Sequence, residues 1–298
     1  MRHDKKRQKS TFDKRDRKVA MAFLSPSALG VAVFFVLPLF VVIYFSFVDN
    51  PINKQYVGFD NYVNVATNMA FNMAAKNTLI FSIIAVPLAV VLGLLLALLL
   101  STDLPLHSFL RSSYLTPLMV PSASVVLVFT VIFSYNGVVN KILRAQEKDT
   151  IDFFKSSAGL LVIVIIFLWK NLGYNMILYL AALGSIPADL IDVAKLDGAG
   201  KWKIFCEIKL RYVAPMIVFT TIFSLINSFK IFREIYYLTG DYPYETLYML
   251  QHYMNNTFSS GDYQKLSTAA VLMCIVMCLI TVVLFKLEEK YASDLEAE

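Results

Sequence analysis

Six stretches of this 298-residue chain contain no Asp, Glu, Lys or Arg. They lie between Lys18 and Asp49, Lys76 and Asp103, Arg111 and Lys141, Lys155 and Lys170, Arg211 and Lys230, and Lys265 and Lys286. A helix of roughly 20 apolar residues crosses the hydrocarbon core of a bilayer, and most of these stretches reach that length. Composition agrees: 57% of residues are hydrophobic, 16% are charged, and the mean hydropathy is +0.61. Soluble domains hold about 25% charge. A soluble enzyme, a disordered chain and a disulfide-stapled secreted domain are thereby excluded. The fold class expected is all-α: a polytopic membrane protein with six transmembrane helices at 20–47, 77–100, 113–135, 158–182, 212–235 and 265–286.

The formal charge of +5 is unevenly spread. Nine basic residues precede Val19, against Asp4, Asp13 and Asp16. A polybasic arm directly before an apolar span is held in the cytoplasm, so the charge points to membrane lipid and not to nucleic acid. The apolar run is about twice as long as a signal-peptide core and no small-x-small site closes it, so it is expected to remain as an anchor. Three regions follow: a basic cytoplasmic arm at 1–19, a six-span domain at 20–287, and an acidic cytoplasmic tail at 288–298. With both termini inside, 17 basic residues fall in the cytoplasmic segments and 7 outside. The bias supports that orientation. The outer connection 136–157 is expected to hold a short surface helix.

Chemistry-bearing motifs are scarce. His3, His107 and His252 lie on separate segments, and no H-x-x-x-H or C-x-x-C spacing suggests a metal. Gly198-Ala199-Gly200-Lys201-Trp202 lacks both the first glycine and the hydroxyl of a phosphate-cradling loop. The chain is not expected to hydrolyse ATP itself, and no catalytic set or cofactor site, for ATP and magnesium or otherwise, is expected in it. Cys206, Cys274 and Cys278 imply no disulfide framework.

The cytoplasmic connection 184–211 differs from the others. Pro187 suits the first turn of a helix, and Asp189 favours its positive end. Leu190, Ile191 and Ala194 form an apolar stripe, and Asp197-Gly198 stops the helix, because glycine accepts a left-handed conformation there. A second amphipathic helix carries Trp202, Phe205 and Ile208. The expectation is a helix-turn-helix finger; the alternative is a solvated loop or a pair of helices lying on the membrane.

The segment resembles the cytoplasmic "EAA" loop of binding-protein-dependent ABC importer permeases. The residues that carry the likeness are Asp192-Val193-Ala194, Asp197-Gly198-Ala199 and Ile208-Lys209-Leu210. Asp192 replaces the family's Glu and Arg211 its Pro. The likeness extends to Trp169, Gly173-Tyr174-x-Met176-Ile177 and Ile186-Pro187. It also takes in Phe232-x-x-Ile235-Tyr236, Thr239-Gly240 and, near the N-terminus, Gly58-Phe59-x-Asn61-Tyr62. These resemble carbohydrate permeases, in particular the first of the two permease subunits in maltose-type systems. The resemblance implies a type I importer fold in a bacterial plasma membrane, paired with a second related permease, two ATP-binding cassette subunits and an extracellular solute-binding lipoprotein. It also implies that Asp189, Asp192, Ala194, Asp197, Gly198 and Ala199 dock the ATP-binding subunit.

Polar residues inside spans are costly and are therefore suspects for function. Trp169, Asn171, Tyr174 and Asn175 in the fourth span are candidates for a carbohydrate path, as are Asn227, Lys230 and Glu234 in the fifth. An aromatic ring with amide neighbours suits a sugar. Lys230 and Glu234, one turn apart, are expected to pair. The competing reading is that the amides glue helices together and that Trp169 anchors at the interface. Two other functions stay open: an ion-coupled secondary transporter, or an importer permease for a non-sugar solute such as glycerol phosphate or a polyamine. An intramembrane enzyme would need a catalytic set that the sequence lacks.

Overall fold

The computed structural model describes residues 11–50, 52–102 and 107–296. The first ten residues of the basic arm and the last two of the tail lie outside the described residues. Six helical segments are long and apolar enough to cross a membrane: Asp16–Phe45, Met69–Leu100, Ser122–Ala145, Gly159–Gly184, Lys201–Thr239 and Tyr263–Lys286.

The first segment joins α1 (Thr11–Val31) to α2 (Leu37–Phe45) through a π-helical turn, Ala32–Val36. Pro38 follows that turn, and its ring would clash with the carbonyl four residues back in a regular helix. The widened turn relieves that clash. Because α1 begins at Thr11, the helix takes in the last part of the arm. A short hairpin follows, closed by the Val48–Tyr56 bridge and by Asn61, whose Nδ2 donates to the carbonyls of Ser46 (3.0 Å) and Val48 (2.8 Å). Next come α3 (Asp60–Ala66) and α4 (Met69–Leu100), the latter capped by Asn68, whose Oδ1 accepts from Phe71 N at 3.0 Å.

The stretch expected as one helix over 113–135 is two. α5 (His107–Met119) ends before Pro121, and α6 (Ser122–Phe133) begins after it. Proline lacks the N–H that would continue the ladder and pushes Val120 out of the helical region. α7 (Val138–Ala145) is the short surface helix expected in the outer connection. The fourth span is α8 (Gly159–Gly184), followed by α9 (Ala188–Leu196).

The fifth span starts earlier than expected and is interrupted. α10 (Lys201–Ile204) runs through a π turn at Phe205–Lys209 into α11 (Leu210–Phe229), so the second arm of the finger is continuous with the span. The π turn inserts one residue and breaks the stripe read from Trp202, Phe205 and Ile208. Ile204 is buried while Trp202 is exposed. At Lys230 the ladder shifts to three-residue bonds, Arg233 N to Lys230 O (3.3 Å) and Glu234 N to Ile231 O (3.0 Å). α12 (Phe232–Thr239) continues beyond the break. Then α13 (Leu250–Ser259) and α14 (Tyr263–Glu296) complete the chain.

α4, α8 and α11 form the centre of the bundle, with α5 against α8 and α14 against α2, α3, α11 and α13. Small residues make this possible. α4 buries Ala74, Ala85, Ala89, Gly93 and Ala97, which lets helix backbones approach where no hydrophobic effect drives them together. A Cβ on Gly93 would lie 2.8 Å from Asn175 Cβ, and one on Gly173 would lie 1.8 Å from the carbonyl oxygen of Tyr114. The central α8 buries 44% of its most apolar window, whereas the first span buries none of its own. That span faces outward.

Candidate coupling loop and transport pathway

α9 projects between the fourth and fifth spans with none of its residues buried. Pro187 is its N-cap, one position earlier than the first-turn place expected. Its end is a Schellman closure. Ala199 N donates to Ala194 O (2.9 Å), Gly198 N donates to Lys195 O (3.0 Å), and Gly198 sits at φ +79°. Ala194, Asp197, Gly198 and Ala199 thus act together at one turn. Asp192 pairs with Lys195 at 2.8 Å on the surface, and Asp189 lies in the first turn. The exposed apolar residues are Leu190, Val193 and Leu196, the last at 87% exposure, while Ile191 and Ala194 are half-buried. The outward stripe is therefore shifted from the Leu190, Ile191, Ala194 set read from the sequence.

Along the α8–α11 contact runs a ladder of polar pairs. Asn227 Nδ2 donates to Asn171 Oδ1 (2.9 Å), and Asn171 Nδ2 donates to Phe167 O (2.8 Å). Asn175 Nδ2 donates to Ser224 Oγ (3.0 Å) and to Ala89 O of α4 (3.2 Å). Tyr179 bonds Thr220, and Ser82 of α4 bonds Ser228 at 2.8 Å. The three asparagines of the proposed path are thus engaged between helices. The serine and threonine half of the ladder escaped the sequence reading, although Thr220, Ser224 and Ser228 recur every four residues.

The charges are arranged differently from expectation. Glu234, 3% exposed, pairs with Lys170 of α8 and accepts from Ser122 Oγ at 2.8 Å; Lys170 Nζ also donates to Ser122 Oγ at 3.0 Å. Lys230 does not reach Glu234. The break after α11 changes the helical phase between them, and Lys230 is left exposed. The Ser122–Lys170–Glu234 cluster joins the segments that follow the two breaks, α6 and α12, to α8. The remaining aromatics are separate from it. Trp169 is 39% exposed and meets Phe129 edge-on at 6.0 Å, while Tyr174 stacks on Phe223 at 4.4 Å.

Outside the spans, His252 of α13 is fully buried, and burial pushes its imidazole down to about 4. Its Nδ1 accepts from Met249 N at 3.2 Å, and Phe232 packs edge-on at 4.6 Å.

Residues 89–290 match a family described as "Binding-protein-dependent transport system inner membrane component". The chain is 31% identical over 281 residues to the sulfoquinovosyl glycerol transport system permease protein SmoG of Agrobacterium fabrum, covering 92% of this chain and 91% of that protein. It is 28% identical to the trehalose/maltose transport system permease protein MalF of Thermococcus litoralis, covering 91% and 94%. A chain of a bacterial ABC transporter involved in the import of the acidic polysaccharide alginate shares the fold, with TM-score 0.80 and 23% identity over 93% of this chain and 97% of that one. With six candidate spans, an exposed finger between the last two central helices and a family match over most of its length, the chain belongs to the inner membrane components of binding-protein-dependent transport systems and is a multi-pass permease subunit.

Proposed function

We propose that this permease forms half of the translocation pathway of an ATP-driven importer of sugars or oligosaccharides in a bacterial plasma membrane, working by alternating access. The observation that carries this reading is α9. It presents Leu190, Val193 and Leu196 to solvent, has a rigid glycine-closed end, and leads directly into a span through α10 and α11. Apolar anchors flanked by charges form a helix-in-groove ligand, with the charges setting register. α10, continuous with the span, can pass a displacement of α9 on to it.

In this reading Asp189, Asp192, Ala194, Asp197, Gly198 and Ala199 contact an ATP-binding cassette subunit on the cytoplasmic side, and both termini lie there. The chain pairs with a second related permease, and an external solute-binding lipoprotein delivers the sugar. Trp169 and Tyr174, whose rings are not enclosed, are the residues of the pathway best placed for a sugar face. Asn171, Asn175 and Asn227 hold the helices that carry them, and Lys230 and Glu234 lie at the outer break. The relatives named for trehalose, maltose and sulfoquinovosyl glycerol support a sugar-type solute.

Uptake by the complete assembly in proteoliposomes tests this. Transport should need internal ATP and persist when an uncoupler abolishes the proton gradient. Uptake that collapses with the uncoupler while ATP stays high would overturn the reading in favour of an ion-coupled carrier.

A further inference from the structure

The break in the fifth span leaves two cations that the polar ladder does not use. Lys230 caps α11, Arg233 lies in the first turn of α12, and both are exposed. Among the described residues neither has a carboxylate within ion-pair distance, and Glu234 beside them is committed to Lys170. The two line one cleft of about 420 Å³, with Gln251 and Asn255 of α13 and the rings of Phe232 and Phe258. No acidic side chain lines it. Two acids bond close by without lining the cleft: Asp241 accepts from Nδ2 of the wall residue Asn255 at 3.4 Å, and Asp262 pairs with Lys265 at 2.7 Å.

Two like charges lining one cleft without a carboxylate between them repel each other, and an anion bound there would relieve that repulsion. Here two of one sign converge with the N-terminal end of α12, and half-helix N-termini at broken spans favour anions. Arg supplies a planar fork that fits an oxyanion with two bonds, and Lys supplies a point charge. The amides can bond hydroxyls, and the rings offer an apolar wall. The volume lies in the range of small-molecule sites.

We propose that this cleft is an anion site taking a carboxylate, sulfonate or phosphate group carried on a polyhydroxy body. The group can come from an acidic sugar or from the head of an anionic lipid. Only the first source rests on the importer reading given above; the site itself does not. With an acidic sugar as its occupant, the site makes the permease selective for acidic solutes, a property that neither the ladder nor the coupling helix supplies.

The complete membrane assembly, without the external binding protein, is placed in phosphatidylcholine nanodiscs and titrated with trigalacturonate and with uncharged maltotriose. Wild type should bind trigalacturonate preferentially and more weakly as salt rises. The Lys230→Gln/Arg233→Gln variant, matched for assembly by size-exclusion elution, should bind it about tenfold more weakly or worse. In a second arm, phosphatidylglycerol is added to the discs. A rise in melting temperature seen in wild type and lost in the double variant, with trigalacturonate silent, assigns the site to lipid. If wild type and the double variant behave alike in both arms, the proposal is overturned. ATP-driven uptake of a neutral sugar would survive that result, so the importer reading is judged separately.

Discussion

Glu234 is held by Lys170, 64 residues earlier in the chain, and the pair shares Ser122 between them. One contact thereby fixes α12, α8 and the start of α6. Removing one member of a buried pair costs about 3–5 kcal/mol, because the other charge stays behind uncompensated. Lys170 keeps 23% of its side chain exposed, so Glu234→Gln is expected at the low end of that range. Replacing both together, Lys170→Met with Glu234→Leu, should recover most of the loss. Thermal unfolding of the detergent-solubilised protein measures it, and a double variant as unstable as the single one would show that the pair is not what Glu234 serves.

Gly173 permits the contact of α5 with α8. A methyl group there meets the Tyr114 carbonyl at 1.8 Å, which only a shift of backbone can relieve. Overpacking of this kind costs about 1–3 kcal/mol, and Gly173→Ala should lower the melting temperature accordingly. Gly184 has no heavy atom within 4 Å of its would-be Cβ. Gly184→Ala should therefore be neutral or slightly stabilising, since alanine is the better helix former.

Gly198 separates coupling from stability. Its φ of +79° disfavours a β-branched side chain, yet open space surrounds it. Gly198→Val should strain the turn by about 1–3 kcal/mol locally and leave the melting of the spans unchanged. Co-purification of the ATP-binding subunit and sugar-stimulated ATPase activity should fall, with Gly198→Asn milder because asparagine tolerates left-handed backbone. Full coupling in the valine variant would remove α9 from the docking role.

His252 gives a pH dependence with a definite sign. Its imidazole sits at about 4 when folded, against 6.5 in the unfolded chain. Between those values the unfolded chain binds the proton and the folded one does not. Stability is therefore full above pH 6.5 and declines as pH falls toward 4, by about 3 kcal/mol in all. The unfolding midpoint followed against pH should show this slope in wild type, and His252→Gln should flatten it. An equal slope in both would place the acid sensitivity elsewhere.

Orientation is testable at the finger. With 17 basic residues on one side against 7 on the other, Lys201 is expected in the cytoplasm. Lys201→Cys in intact cells should react with a permeant thiol reagent and resist an impermeant one. The reverse labelling would invert the topology.

What the sequence disclosed follows from the range of each interaction. Charge-free runs located all six spans, because the cost of charge in a bilayer acts residue by residue. The stop at Gly198 was legible for the same reason: a left-handed residue is a local demand. Pro121 stood in plain view, yet membrane helices often tolerate proline, and its non-helical backbone decides in favour of a break. The partner of Glu234 was hidden by distance. A spacing of four residues made Lys230 the natural mate on an unbroken helix, and the change of phase after Phe229 gave that place to Lys170. The π turn before Pro38 had a proline to announce it, whereas the one at Phe205–Lys209 left no composition signal and broke the stripe read from Trp202, Phe205 and Ile208.

The packing of α2 against α14 has a consequence for assembly. The first span finds its main packing partner in α14, more than 200 residues later in the chain. Contacts of such long sequence separation form late. Residues 46–262 already hold the central helices and their ladder, so a chain halted before Tyr263 would keep its middle intact while α2, tethered only through the Asn61 hairpin, lacked the helix it packs against. α14 is the clasp, and the bundle closes only when that helix is in place.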